Sequence, residues 1–488
     1  MSSADILDTR QAGPAAIRGG VLRVLGYVAG ALLSVISAAL LIRYLGASDF
    51  GRYTTIVSLV TIVGGVTEAG MTNIGVREFA VQSSGRTMLR NLLGIRLVLT
   101  VVGLAIAMGF SLAAGYDNEM VLGTAIAGSS LFLLVLQATY GVPLQVQLKL
   151  GWVTAIELVR QAATVVFILA GIAVGAGLVL LWAVPVPAGI AAVVFTIVVT
   201  RGMVSLWPRF DRAAWWRLIR LAVPYSVATA AALIYAYVVI VVLSLVSTEE
   251  EVGYFGAAFR VFIMLAAVPG LAAQAALPLL ARAARDEQTR LSYAMQRMFD
   301  VALSFGVGMA LITAVGAPIA IDIVAGPEFG PSVEVLRVLG PVLVFSTLLA
   351  VWGIGLLSMG RYRALMISNA LGLAVAIVMT LLLAPSGGAS AAAYANLVGE
   401  AVIAAGYGIG IMGRDRSMRV SLPTAPAVLA ALAAALLTLL IPSIPALVDV
   451  IVVGVVYLVI LVVAGGIPPD VREAFAARLR RGERKGEP

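Results

Sequence analysis

The chain has 488 residues, 61% hydrophobic and 12% charged, with a net charge of +8 and a mean hydropathy of +1.04. Soluble domains are about half apolar and a quarter charged, so no water-soluble fold could bury this much apolar surface. Cysteine and histidine are both absent, which excludes disulfides and thiolate chemistry and removes the commonest metal ligand and general base.

The first twenty residues, MSSADILDTRQAGPAAIRGG, are polar, and no small-residue cleavage site follows the first apolar run. A retained membrane span is therefore expected rather than a removable signal peptide. Runs of about 20 apolar residues cross the hydrocarbon layer as helices, because lipid offers backbone polar groups no other partner. Such runs are predicted at 21–42, 54–76, 88–114, 120–144, 152–174, 178–200, 218–246, 253–281, 298–325, 333–359, 364–384, 391–412, 424–441 and 447–466. They make about fourteen spans in an all-α integral membrane protein. Alternating-strand periodicity is missing, so no barrel is expected.

Basic residues fall in alternate loops: Arg77, Arg86, Arg90, Lys149, Arg201, Arg209, Arg282, Arg285, Arg361, Arg363, Arg414 and Arg416 lie on one side. The opposite loops are short and acidic, with Asp117, Glu119, Glu249, Glu250, Glu251 and Glu328. This pattern places both termini on the cytoplasmic side of the cytoplasmic membrane and explains the positive charge without nucleic acid.

ASDFGRY (47–53) follows the first span and EEEVGYF (249–255) follows the seventh. An acidic loop leading into Gly-x-aromatic at both places is a repeat separated by six spans, so the two halves have the same orientation, as in parallel-repeat transporters. The expected organisation is a cytoplasmic segment 1–20, an N-lobe 21–200, a cytoplasmic linker 201–217, a C-lobe 218–412, two further helices within 424–466, and a basic tail 467–488. At the junction, Trp207, Trp215 and Trp216 beside Arg209, Arg212 and Arg217 predict an interfacial helix over 205–220, or else an ordinary basic loop with belt aromatics. The tail is expected to lie against anionic membrane lipid.

Charged groups inside spans are costly and so are functional candidates. Arg23, Arg96 and Arg160 lie in the inner half of the membrane; Arg43, Arg52, Arg260 and Arg337 lie in the outer half. A planar guanidinium holds two phosphate oxygens at once and stays charged when dehydrated, which suits a diphosphate ligand. Arginines near span ends can instead snorkel to headgroups. Glu157 and Arg160 are spaced to pair on one helix. Glu68 and Glu400 have no partner nearby in sequence, and each either binds a coupling cation or proton or neutralises an arginine from another helix.

LLIRYLGASDFGRYTTIVSLV (40–60) and TEAGMTNIGVREFA (67–80) resemble the first hairpin of the polysaccharide transporter family, the O-antigen-type flippases of the multidrug/oligosaccharidyl-lipid/polysaccharide exporter superfamily. EVGYFGAAFRVFIMLAAVPGLAAQAALPLLAR (251–282), VAGPEFGPSVEVLRVLGP (324–341) with SMGRYRAL (358–365), and SGGASAAAYANLVGEAV (386–402) resemble its later spans in order and spacing. The resemblance implies two six-helix lobes related by a pseudo-two-fold, plus two C-terminal helices, around a cavity open to alternate sides. It also implies flipping of a polyprenyl-diphosphate-linked oligosaccharide, engaged by cavity arginines. Arg23 and Arg260 best suit that role, followed by Arg52 and Arg160, with Arg96 also a candidate. Glycosyltransferases or a glycan polymerase are the implied protein partners. Family members often carry an acidic residue in the seventh span, whereas IYAYVVIVVLSL (234–245) has none, so cation coupling by that route is not expected.

No enzyme activity and no cofactor are expected beyond a coupling ion, H+ or Na+. A glycosyltransferase would want acidic groups on a large external loop, and a primary pump would want GxxxxGK[ST], which does not occur. A cation-coupled multidrug antiporter or a lipid II-type precursor flippase of the same fold are the alternatives.

Overall fold

The apolar runs become helices. The computed structural model describes residues 12–68, 70–81, 85–147, 149–203, 207–286, 288–413, 424–438 and 445–466. No strand occurs among them. The chain divides into two compact units, Met1–Gly253 and Tyr254–Pro488.

In the first unit, α1 (Ala12–Glu68) is two helices meeting at Gly46, whose φ of 70° and ψ of −178° interrupt the helix in a region open mainly to glycine. After Gly70 come α2 (Met71–Val81), α3 (Gly85–Ala113), α4 (Asn118–Val146) and α5 (Leu150–Ala173). The next run is two short helices, α6 (Leu178–Ala183) and α7 (Pro185–Val199), with Pro185 opening the second. Asp117 caps α4 by accepting from the Met120 amide at 2.7 Å. Asp211 caps α8 (Arg212–Val246) by accepting from Ala213 and Ala214. Three glutamates open α9 (Glu249–Asp286), where the helix dipole favours them.

α1 packs against α5 and α8, and α4 packs against α3 and α7. Trp182 is fully buried among Ile56, Leu59, Val63, Met120 and Leu131. Gly123 makes room for that indole, since a Cβ there would lie 2.4 Å from its ring. Helix α3 is dressed for lipid: Val98, Val101, Val102, Ile106 and Leu112 are exposed, whereas Arg96, Thr100 and Ser111 are buried. A helix with its apolar stripe outward and its polar groups inward is stable only in a hydrocarbon solvent. The Ser111 and Thr124 hydroxyls, 3.0 Å apart, join α3 to α4 inside the bundle.

The second unit begins within α9 and continues through α10 (Gln288–Val324), a 3-10 turn at Pro327–Phe329, α11 (Ser332–Ser358), α12 (Tyr362–Met412), α13 (Ala425–Thr438) and α14 (Ala446–Val463). A straight helix the length of α12 would be roughly 75 Å long. Yet Arg361 at its start donates to the carbonyls of Gly410 and Ile411 near its end, at 2.7 and 2.9 Å. The chain therefore folds back, and it does so at Gly388, with φ 52° and ψ −137°. Close glycine contacts pair the two arms in antiparallel register: Gly410 with Ala364, Gly406 with Ser368 and Gly372 with Ile403. α13 and α14 pack on α10 around Leu311, Val428, Val453 and Leu461, and the Tyr457 hydroxyl donates to the Ser304 carbonyl at 2.7 Å.

Among the described residues ten helices are long and apolar enough to cross a membrane, with shorter apolar helices at Ala230–Val246 and Ala425–Leu437. Two of the ten, 29–68 and 362–412, each contain two helices. The interfacial helix expected over 205–220 begins only at Arg212. Residues 207–211 form an extended strap whose backbone groups bond to α3 instead of to one another. The basic tail 467–488 and the loop holding Arg414, Arg416 and Arg419 lie outside the described residues.

Candidate functional site

Arg52, Arg96 and Arg160 are each met by carboxylates. Arg96 on α3 is 0% exposed, and its guanidinium pairs with Glu68 at the end of α1. The same guanidinium donates to the hydroxyls of Thr72 and Thr139, at 3.3 and 3.1 Å. Glu68 also accepts from the backbone amide of Thr72 at 3.2 Å and from its hydroxyl. One arginine thus ties α1, α2 and α4 to α3, and the fixed charge that burial would penalise is met by a carboxylate and two hydroxyls.

Arg52 lies near the break at Gly46, gripped by Asp117, by Glu119 at 2.9 Å, by Glu249 at 3.3 Å and by Asp49 at 3.9 Å. Ser48 adds a hydrogen bond to Glu249 at 2.9 Å. The cluster joins α1 to the first residues of α4 and α9. In the same region the Tyr116 hydroxyl, in the turn before α4, lies 2.7 Å from that of Ser244. Burial raises the Tyr116 phenol above its ordinary value, against the opposing effect of that hydrogen bond.

Arg160 pairs within α5, its Nε 3.1 Å from Glu157, while Gln161 donates to the same carboxylate at 3.1 Å. This pair is partly open, with side chains 34% and 45% exposed. Arg260 is half-buried on α9, Arg43 and Arg337 are exposed, and the side chain of Arg23 lies outside the described residues.

In the second unit Glu400 is buried on the returning arm of α12, and Ser346 of α11 donates to it at 2.7 Å. Nearby on the same arm, Tyr407 donates to Asn369 at 3.2 Å. Asp300 on α10 is also buried and accepts from Gln296 at 3.0 Å and Thr424 at 3.1 Å. Asp300 is not among the residues that the sequence pattern singles out, although an acid inside the apolar run 298–325 is itself a signal. The structure therefore brings Arg96 to Glu68, Arg160 to Glu157, and Arg52 to four acids, and it sets Glu400 in a separate polar cluster.

The strap of 207–211 lies across α3. The Arg209 amide donates to the Arg90 carbonyl and the Arg90 Nε to the Trp207 carbonyl, both at 2.9 Å. The Asp211 amide donates to the Asn91 side chain at 3.1 Å. Gly94 permits the approach, since a Cβ there would lie 2.4 Å from the Arg209 carbonyl oxygen.

A bundle of this length with ion pairs inside it has counterparts among known proteins. The profile of a family described as polysaccharide biosynthesis protein matches residues 16–284, more than half of the chain. The chain belongs to that family. Its fold is shared with the lipid II flippase MurJ in an inward closed conformation, at 13% identity and a TM-score of 0.73, over 90% of this chain and 98% of that one. An inward-facing multidrug resistance MATE transporter of the MOP superfamily matches at 16% identity and TM-score 0.62, over 80% and 96% of the two chains. An outward-facing MATE transporter of that superfamily matches at 16% and 0.53, over 81% and 97%. No curated protein matches the sequence. Family and fold together make this a multi-pass membrane protein, and they support flippase or exporter activity.

Proposed function

We propose that the protein moves a polyprenyl-diphosphate-linked oligosaccharide across the cytoplasmic membrane for cell-surface polysaccharide assembly. The observation that carries this reading is the combination of a polysaccharide biosynthesis family with a fold shared with a lipid II flippase. Such a substrate has a sugar head too polar for lipid and a tail that never needs to leave it. In this proposal the chain makes about fourteen crossings, with both termini cytoplasmic and six-helix lobes at 21–200 and 218–412. Alternating access presents an arginine-lined cavity first to the cytoplasm and then to the outside.

Burial divides the candidate arginines. Arg96 is enclosed and Arg52 is saturated with carboxylates, so their work is to hold helices together. Arg160 is partly open, and together with Arg260 and Arg23 it is assigned to the diphosphate, where a planar guanidinium matches two phosphate oxygens. Differential binding of substrate or of a coupling ion, H+ or Na+, to the two states biases the switch. Glycosyltransferases that make the substrate and a polymerase that consumes it are the partners this role requires.

Reconstitution tests the proposal: a fluorescent polyprenyl-diphosphate oligosaccharide in liposomes becomes accessible to an external, membrane-impermeant modifying enzyme when the protein is present. If the substrate stays protected, the proposal fails. A second reading, a cation-coupled drug antiporter, is favoured by the buried Glu400 beside Ser346, a carboxylate able to carry a proton or meet a cation. Export of an organic cation under a proton or sodium gradient, with no lipid flipping, is the result that selects it.

A further inference from the structure

Four arginines within twelve residues, Arg209, Arg212, Arg217 and Arg220, are exposed and form no ion pair among the described residues. Arg52, Arg96 and Arg160 inside the bundle are all met by carboxylates. Interleaved with the four are Trp207, Phe210 and Trp216, which are 76%, 65% and 60% exposed. That much aromatic surface in water is costly, whereas aromatics of this kind settle at the level of lipid headgroups.

The surface is built, not merely bare. Three hydrogen bonds hold 207–211 on α3, and Gly94 lets the strap lie close. On α8, Arg212, Trp216 and Arg220 recur at four-residue spacing and so share one face, with the Arg220 guanidinium 5.7 Å from the Trp216 ring centroid. Beside them a cavity of about 340 Å³ is lined by Thr87, Asn91, Asp211 and Arg217. Asp211 does not make this an acidic site: its carboxylate accepts the Ala213 and Ala214 amides and four guanidiniums outnumber it.

We infer that this strap is a binding site for an anionic glycerophospholipid of the membrane, with the phosphate held at Arg217 and the neighbouring arginines, and the acyl chains against the exposed aromatics. Charge complementarity selects the occupant. A zwitterionic headgroup brings no net charge to four unpaired cations, and a free phosphate brings no chains to cover Trp207, Phe210 and Trp216. The inference is independent of which substrate the protein moves.

The test is native mass spectrometry of the protein released from vesicles of phosphatidylglycerol and phosphatidylcholine in equal amounts, doped with a polyprenyl diphosphate. The wild type retains phosphatidylglycerol preferentially. Arg212→Gln/Arg217→Gln/Arg220→Gln lowers that retention by at least about tenfold, each basic residue near an anionic surface contributing roughly fivefold. Arg337→Gln, an exposed arginine in the second unit, leaves retention unchanged, and thermal unfolding confirms that both variants are folded. If phosphatidylcholine is retained equally, or if the triple variant keeps its phosphatidylglycerol, the inference is overturned. It is also overturned if a polyprenyl diphosphate, and not phosphatidylglycerol, is what the strap retains. Oligosaccharide flipping in phosphatidylcholine-only liposomes separates the two proposals, because a strap without a lipid partner still leaves the transport assay to succeed or fail on its own.

Discussion

Gly51 and Gly253 make reciprocal contacts: a Cβ on Gly51 would lie 1.9 Å from the carbonyl oxygen of Glu249, and one on Gly253 would lie 1.9 Å from that of Ala47. Residues 47 and 51 correspond to 249 and 253 in the repeated ASDFGRY and EEEVGYF segments. Each glycine sits over the residue four places before the other, which is the exchange a local two-fold axis produces. The repeat seen as a weak sequence echo is thus a self-complementary contact between helix ends, closed around by Arg52 and its acids.

That contact predicts a coupled loss. Gly51→Ala and Gly253→Ala each force backbone apart, and each is expected to cost about 1–3 kcal/mol, read by thermal unfolding in detergent. The double variant should cost less than the sum, since one methyl already opens the contact for the other. Full additivity would show that the two glycines act separately.

Arg96 and Glu68 predict a rescue. Glu68→Gln leaves an enclosed guanidinium without its counter-charge, at a cost of about 3 kcal/mol, the lower end for buried pairs because Glu68 is 33% exposed. Arg96→Leu/Glu68→Leu should recover most of that stability and retain flipping. A stable double variant that no longer transports would move this pair from scaffold to mechanism.

For Arg160 the expectation is reversed. Glu157→Gln/Arg160→Gln removes both partners of a half-open pair, so unfolding should move by less than about 1 kcal/mol. With Arg260→Gln added, flipping of the diphosphate substrate should fall at least tenfold, about 1.4 kcal/mol in the barrier. Wild-type transport in the folded triple variant would refute the assignment of these arginines to the substrate.

Asp300 gives a test by shape. Asp300→Asn keeps an oxygen for Thr424 and Gln296 and should change stability little. Asp300→Ala leaves the buried Thr424 hydroxyl without that acceptor and should cost about 1–3 kcal/mol. Equal effects of the two substitutions in thermal unfolding would mean that charge, not hydrogen bonding, is what the site needs.

Much of the fold was legible because it rests on composition. The outward stripe of α3 and the runs flanking Gly388 follow from hydrocarbon being the solvent. The first hairpin was less so: hydropathy makes residues 47–53 a loop, but helix resumes directly after Gly46, since one left-handed glycine suffices to break a helix that hydropathy ends several residues earlier. Among the charges, spacing along one helix pairs Glu157 with Arg160 and, because helix resumes after Gly46, Asp49 with Arg52. Glu68 meets Arg96 across 28 residues, and Arg52 meets Asp117 and Glu249 across far more. Periodicity along one helix carries no information about which neighbour will face it. The strap over α3 was hidden for the same reason, its bonds running from backbone to a distant helix.

The Arg96–Glu68 pair also bears on how the chain is made. A lone arginine at the centre of a helix costs roughly 2.5–3.5 kcal/mol on entering the membrane, and unlike a glutamate it cannot wait there protonated and neutral. Glu68 precedes Arg96 in the chain, so during synthesis the carboxyl is already lodged in the bilayer when the guanidinium emerges from the insertion machinery. The residue that can tolerate solitude arrives first, and the one that cannot is delivered to a partner already in place.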